Sequence, residues 1–139
     1  MKRTYPVIFT QTDKMVLVEV PDLNILTEGK DITDAITMAR DAIGLNGISM
    51  EDDGAIIPMP SQIDDIHIEQ GAFFSEGKNY ISMVDIDFSE YRRRNDNKTV
   101  RRNVTLPNWL NQEAEKERLN VSKVLQEALM AKLGVQRKL

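Results

Sequence analysis

The chain has 139 residues and a formal net charge of −4, and its 41% hydrophobic residues suffice for a folded core. It contains no cysteine and one histidine, so disulfides, thiol catalysis and thiolate zinc sites are excluded, and His67 lacks a second His or Cys to complete a metal site. No apolar run is long enough to span a membrane, and no signal-peptide core follows the charged N-terminus, so we expect no membrane partner and a cytoplasmic location.

Charge is divided unevenly along the chain. Residues 1–90 hold six Lys or Arg against seventeen Asp or Glu, a balance of −11, whereas residues 91–139 hold twelve against five, a balance of +7. Such a division predicts a basic partner for the first part and a nucleic acid for the second. Chance clustering of solvated charges is the alternative interpretation.

The N-terminal elements begin with two Val- and Ile-rich segments, residues 4–11 and 15–20, which predict a β-hairpin. Pro21 ends the second strand, and residues 23–30 read as a loop. Apolar residues then recur with helical spacing from Ile32 to Ile43. Asp31 is the predicted N-cap, and Gly44 or Gly47 is the predicted end of this helix.

The rest of the first part predicts a loop over residues 48–64, a short strand at 66–69 and a strand at 78–88, where apolar and acidic residues alternate. The fold class is therefore α+β. Residues 1–90 are predicted to form a small β-β-α-β(-β) domain in which one helix packs on an antiparallel-type sheet. The polar stretch 89–98 reads as a linker, so that residues 91–98 separate this domain from a second one at 99–139.

The second domain is predicted to consist of one strand and two helices. Residues 100–106 alternate between apolar and polar side chains and precede Pro107, which suits the first turn of a helix over 107–118. Asn120 is the predicted N-cap of a second helix, and Gly134 its end.

A strand and two helices of roughly 35 residues cannot bury a core alone, so two copies are expected to pair their strands and interlock their helices. The predicted core of this homodimer consists of Val100, Val104, Leu106, Trp109, Leu110, Val124, Leu125, Ala128 and Leu129. The two-stranded ribbon would then present Arg101, Asn103 and Thr105 to the DNA major groove, and Ser122 and Lys123 to a phosphate.

This second domain resembles the ribbon-helix-helix family of dimeric repressors over residues 99–134. The resemblance is carried by Thr105-Leu106-Pro107 at the end of the strand and by Asn120-Val121-Ser122 at the start of the second helix. It implies a base-reading role for Arg101, Asn103 and Thr105 and a phosphate contact for Ser122. An oligomerisation segment without DNA contact remains the alternative.

Five short motifs occur through the first part of the chain: Tyr5-Pro6-Val7-Ile8-Phe9, Val20-Pro21-Asp22-Leu23, Thr27-Glu28-Gly29, Asp34-Ala35 and Ile57-Pro58-Met59-Pro60-Ser61. With these motifs, nearly the whole chain resembles the HicB-like antitoxin family. The chain departs from the family's glycine-rich first turn, where it has Thr12-Asp13-Lys14. The resemblance implies that the protein covers a small basic HicA-type toxin that cleaves mRNA, and that it represses its own operon by binding operator DNA.

Candidate contacts to the toxin are acidic residues on the predicted helix and on the strand at 78–88, namely Asp31, Asp34, Asp41, Asp85 and Asp87. No nucleophile, general base or phosphate loop accompanies the acidic pairs, so we expect neither an enzyme nor a cofactor or metal. The alternative function is a free-standing ribbon-helix-helix repressor whose N-terminal domain senses a ligand.

Overall fold

The structure is a computed structural model that describes residues 1–135. Residues 136–139, which the predicted second domain includes, lie outside the described residues. The chain forms two compact units, the N-terminal unit Met1–Asn95 and the C-terminal unit Asp96–Leu139. In the stretch the structure covers, no helix has the length and apolar content needed to cross a membrane.

The N-terminal unit is built on a four-stranded antiparallel sheet in the order β3-β2-β1-β4, made of Lys2–Gln11 (β1), Val16–Val20 (β2), Ile25–Gly29 (β3) and Lys78–Asp87 (β4). The predicted β1–β2 hairpin is confirmed. Its turn needs no glycine because the Thr12 N–H donates to the Met15 carbonyl at 2.9 Å, while the Thr12 hydroxyl oxygen accepts the N–H of Lys14 and Met15.

Helix α1, Ile32–Asp52, covers one face of this sheet. Strand alternation directs Tyr5, Val7 and Phe9 of the central strand towards the helix, where all three are fully buried. The predicted N-cap is confirmed, because Asp31 Oδ1 accepts the N–H of Asp34 at 2.8 Å. A single core between one helix and one sheet face therefore holds this unit together.

Two sequence predictions were wrong for one shared reason: the end of α1 at Gly44 or Gly47, and the absence of regular structure in the stretch from residue 89. Helix α1 continues through Gly44 and Gly47, and the expected linker begins with a helix, Phe88–Asn95 (α2). A Cβ at Gly44 would lie 2.4 Å from Tyr91 Cδ2, and one at Gly47 would lie 2.1 Å from Phe88 Cε1. The two glycines let the aromatic rings of α2 approach α1 and do not end the helix.

Two strand predictions also need correction, and with α2 included the order β-β-α-β(-β) becomes β-β-β-α-β-α. The expected loop at 23–30 contains β3, which pairs with β2 along its full length after a left-handed turn at Asn24 (φ 53°). The expected short strand at 66–69 is absent, and short 3-10 helices, Ile63–Asp65, Ile68–Gln70 and Phe74–Glu76, occupy this region. The sequence of β3 alone does not show that it is a strand, because its regular structure comes from hydrogen bonds to the neighbouring strand β2.

The C-terminal unit contains helix α3, Asn108–Lys116, and helix α4, Val121–Leu133. The predicted caps of α4 are confirmed: Asn120 Oδ1 accepts the N–H of Lys123 at 3.1 Å, and Gly134 closes the helix at φ 67°. In this single chain the predicted strand over 100–106 is absent, and no strand occurs between residues 96 and 135. A ribbon needs a second strand, which one chain does not supply.

Candidate functional site

The apolar side chains of the C-terminal unit have no core of their own. Between residues 96 and 135 no residue is buried. Each predicted dimer-core residue is exposed or only half-buried: Val100, Val104, Leu106, Trp109, Leu110, Val124, Leu125, Ala128 and Leu129. Exposed apolar side chains in such a number are typical of a surface that another chain covers.

The polar side chains predicted to contact DNA are accessible. Arg101, Asn103 and Thr105 are exposed at alternate positions of the segment before α3, and none of them makes a side-chain hydrogen bond or ion pair within the described residues. Ser122 and Lys123 are exposed in the first turn of α4. Two free backbone N–H groups and a positive helix end accompany them there, an arrangement that favours an anion.

The acidic residues predicted to contact a toxin divide into two groups, and the first lies at the start of α1. Asp31 caps the helix, and Asp34 Oδ2 accepts the Lys30 N–H at 2.8 Å. Both carboxylates therefore hold the N-terminal turn of α1, where the helix dipole also stabilises them.

The second group consists of Asp41, Asp85 and Asp87, of which Asp41 and Asp87 line a cleft of about 360 Å³ between α1, β4 and α2. Asp41 Oδ1 accepts the Tyr91 hydroxyl at 2.9 Å, and Asp85 Oδ1 pairs with Arg40 Nη2 at 3.0 Å. Asp87 Oδ1 accepts a backbone N–H from α2 at 3.2 Å. All five predicted toxin-contact residues are thus already bonded within the chain.

Two pKa values in the cleft are shifted. Burial, with the hydrogen bond to Asp41, raises the pKa of Tyr91 to about 12. The backbone N–H of Glu90 stabilises the charged form of Asp87 and lowers the pKa of that carboxyl. Neither group is poised near neutral pH, and no cluster of three potential metal ligands exists among residues 1–135. Neither of these two shifted groups is therefore suited to acid–base catalysis at neutral pH.

A further surface was not found from the sequence. On the sheet face opposite α1, register places Leu26, Glu19, Ile8 and Ile81 in one row across all four strands. The segment of 3-10 helices crosses this face, held by Glu19 Oε1, which accepts the Ala72 N–H at 3.0 Å. Residues 57 and 58 instead belong to the core side, because Ile57 is buried in the core that α1 covers and the Pro58 carbonyl accepts the Tyr5 hydroxyl at 2.7 Å.

The composition of that segment is the signal that could have identified it. Residues 53–77 contain five acidic residues and no Lys or Arg. They also carry exposed apolar side chains, among them Met59, Ile63 and Phe74. A loop was predicted over residues 48–64, and which part of the sheet it contacts depends on the fold.

Comparison with known proteins gives a family and two similar structures. A family model described as HicB_like antitoxin of bacterial toxin-antitoxin system matches residues 5–132. A toxin–antitoxin complex from Streptococcus pneumoniae contains a chain 26% identical, with a TM-score of 0.60, covering 95% of this chain and 99% of that one. The Burkholderia pseudomallei antitoxin HicB is 22% identical, with a TM-score of 0.51 and coverages of 95% and 97%, and it supports the fold alone. No curated protein matches the chain.

Proposed function

The chain belongs to the HicB-like antitoxin family of bacterial toxin–antitoxin systems, and on that premise we propose that it neutralises a HicA-type toxin by binding it directly. The single observation that carries the proposal is the family match over residues 5–132, which spans both units. On this proposal the protein inhibits the toxin by binding it directly, and the toxin is a small basic protein that cleaves mRNA.

The charge of the N-terminal unit supports this partner. Residues 1–95 hold nine Lys or Arg against seventeen Asp or Glu, a balance of −8. A protein that binds RNA carries a positively charged surface, and opposite charges accelerate the encounter of two proteins at low salt. The similar structure from Streptococcus pneumoniae is a toxin–antitoxin complex, which agrees with a toxin as partner.

The C-terminal unit is proposed to form a homodimer that binds operator DNA and represses the protein's own operon. Its exposed apolar side chains would become the dimer core, and residues 100–106 of two copies would pair as a ribbon. Arg101, Asn103 and Thr105 would then read base edges, while Ser122 and Lys123 would contact phosphates. Residues 96–139 hold nine Lys or Arg against five acidic residues, a balance of +4 that favours DNA.

Co-expression tests the proposal. The full chain is produced together with the small open reading frame next to its gene, purified by a tag on the antitoxin alone, and measured by native mass spectrometry. We expect a complex that contains the small basic protein and two antitoxin chains, and a shift of upstream duplex DNA in a gel. Purification without any such partner refutes the antitoxin role, and favours a free-standing repressor if the DNA still shifts.

A further inference from the structure

We propose that Arg93 on α2 contacts a phosphate of the operator DNA, so that the N-terminal unit contributes to DNA binding beside the ribbon. The inference rests on the proposed binding of operator DNA by the C-terminal unit and adds a contact from the other unit. The partner is the sugar–phosphate backbone of a DNA duplex. Such a contact requires an accessible positive side chain that is held near the duplex, and Arg93 meets both conditions.

Helix α2 carries three consecutive arginines, and only one of them has no side-chain partner among residues 1–135. Arg92 lies against α1, where its guanidinium pairs with Asp52 Oδ1 at 3.0 Å. Arg94 Nη2 pairs with Glu90 Oε1 at 2.7 Å. Arg93 is exposed, and its side chain makes no hydrogen bond or ion pair within the same described residues. A phosphate can therefore approach Arg93 without breaking a contact inside the unit.

Packing of α2 against α1 fixes the direction in which Arg93 points. The ring of Phe88 lies against Gly47, and that of Tyr91 lies against Gly44. Both rings belong to the helix face that contacts α1, and Arg93, two residues after Tyr91, lies about 200° further around the helix. Because its backbone is already ordered, this arginine loses less conformational freedom on binding than one in an irregular segment.

The chain between Arg93 and the base-reading segment is short. Eight residue steps lead from Arg93 to Arg101, and a fully extended chain of that length spans no more than about 28 Å. One helical turn of B-DNA measures about 34 Å. When Arg101 contacts a base, the backbone of Arg93 is therefore held within one turn of the duplex, where phosphates repeat along both strands.

Electrostatics favour DNA over the toxin as the partner of this side chain. A basic toxin surface repels an arginine, whereas a phosphate attracts it. Residues 1–95 carry a balance of −8 and are repelled by DNA as a whole, but residues 88–95 hold three arginines and one glutamate, a local balance of +2. Because exposed charges more than about 10 Å apart are largely screened at 0.1 M salt, a phosphate near α2 responds mainly to the local charge.

Single substitutions in the full chain test the contact, with duplex DNA from upstream of the gene as the probe and fluorescence anisotropy over a salt series as the measurement. Arg93→Gln removes the charge, and Arg93→Lys keeps it. Lys14→Gln is the matched control, since Lys14 is an exposed cation of the same unit with no side-chain partner among residues 1–135. It lies in the β1–β2 turn, at the opposite end of β1 from α2.

We expect Arg93→Gln to reduce the slope of log K against log salt concentration by about 0.9 for each chain, hence by about two for a dimer. The loss of affinity should then be about twelvefold larger in 50 mM salt than in 200 mM salt. It should be equal on the upstream duplex and on a scrambled duplex, because a phosphate contact carries no base sequence. Arg93→Lys and Lys14→Gln should keep the parent slope.

Urea unfolding of Arg93→Gln should match that of the parent, since the side chain contacts no partner in the described chain. A parent-like slope in Arg93→Gln, or an equal drop in Lys14→Gln, overturns the inference and leaves DNA binding by the C-terminal unit intact. A drop in Arg93→Lys as large as that in Arg93→Gln also overturns it, because charge would not be what the side chain supplies. If the wild-type chain binds no duplex DNA at all, the proposed operator binding itself fails.

Discussion

Truncating Leu129 distinguishes a dimeric C-terminal unit from a monomeric one. In the single chain this side chain on α4 is 52% exposed. Because a fully buried leucine contributes about 1.5–3 kcal/mol, a half-exposed one contributes roughly 1 kcal/mol, and Leu129→Ala would cost no more than this in a monomer. In a dimer core the same change leaves a cavity and costs about 2–5 kcal/mol.

The dimer contains two copies of the substitution, which makes the expected effect large. Taking the lower limit of about 2 kcal/mol for each copy and subtracting the roughly 1 kcal/mol that each monomer also loses, the dimer is weakened by about 2 kcal/mol relative to its monomers, and its dissociation constant rises roughly thirtyfold. Sedimentation velocity of the full chain over a range of concentrations measures this constant. We expect Leu129→Ala to be monomeric at concentrations where the parent protein is dimeric.

Leu45→Ala is the matched control. Leu45 lies on α1 of the N-terminal unit and is 58% exposed, so the two leucines have similar exposure in the single chain. Only Leu129 is predicted to become buried on dimerisation. If both variants keep the parent dissociation constant, or if both raise it equally, the interpretation of α4 as dimer core is wrong.

Three further outcomes are expected. Arg101→Ala should weaken operator binding by about 1–3 kcal/mol in a gel-shift titration and leave toxin capture unchanged, since the side chain is exposed in the other unit. Gly47→Ala should destabilise the fold by about 1–3 kcal/mol in urea unfolding, although alanine favours helices, because the new Cβ would lie 2.1 Å from Phe88 Cε1. Because the pKa of Tyr91 is raised to about 12, the unfolded chain releases this proton first, and stability should fall from pH 10 to pH 12.

Each of these outcomes has a control and a contrary result. Loss of toxin capture in Arg101→Ala would refute the proposal that the N-terminal unit binds the toxin while the C-terminal unit binds DNA. Ser49→Ala, at an exposed position of α1, should not destabilise the protein, and a stabilised Gly47→Ala would show that α2 does not approach α1 closely. Tyr91→Phe should lose the extra fall in stability at alkaline pH, and an unchanged pH profile would contradict the assigned pKa.

Several features could be predicted because they depend on residues close together in the chain. The caps at Asp31 and Asn120 each join a side chain to a backbone N–H three residues later. The end of α4 at Gly134 needs only a left-handed residue. The β1–β2 hairpin likewise follows from two alternating segments with a short turn between them.

The features that were missed depend on residues far apart. Gly44 and Gly47 were interpreted as the end of a helix, because the sequence does not show the aromatic rings of Phe88 and Tyr91 that approach them. Strand β3 was interpreted as a loop, because its regularity comes from pairing with β2. The strand expected at 100–106 stays a prediction for the dimer, since one chain holds no partner strand for it.

The sequence by itself determined the opposite charges of the two parts, the main helices, the hairpin and the resemblance to antitoxins, since composition and short-range periodicity are properties of the chain. Only the tertiary structure decided which carboxylates are free to meet a partner. Asp41 is bonded to Tyr91, fifty residues away, whereas Asp64 and Asp65 have no partner in the described chain. A contact between distant positions exists only once the fold brings them together, so the carboxylates bonded within the chain could not be separated from the free ones before the fold was known.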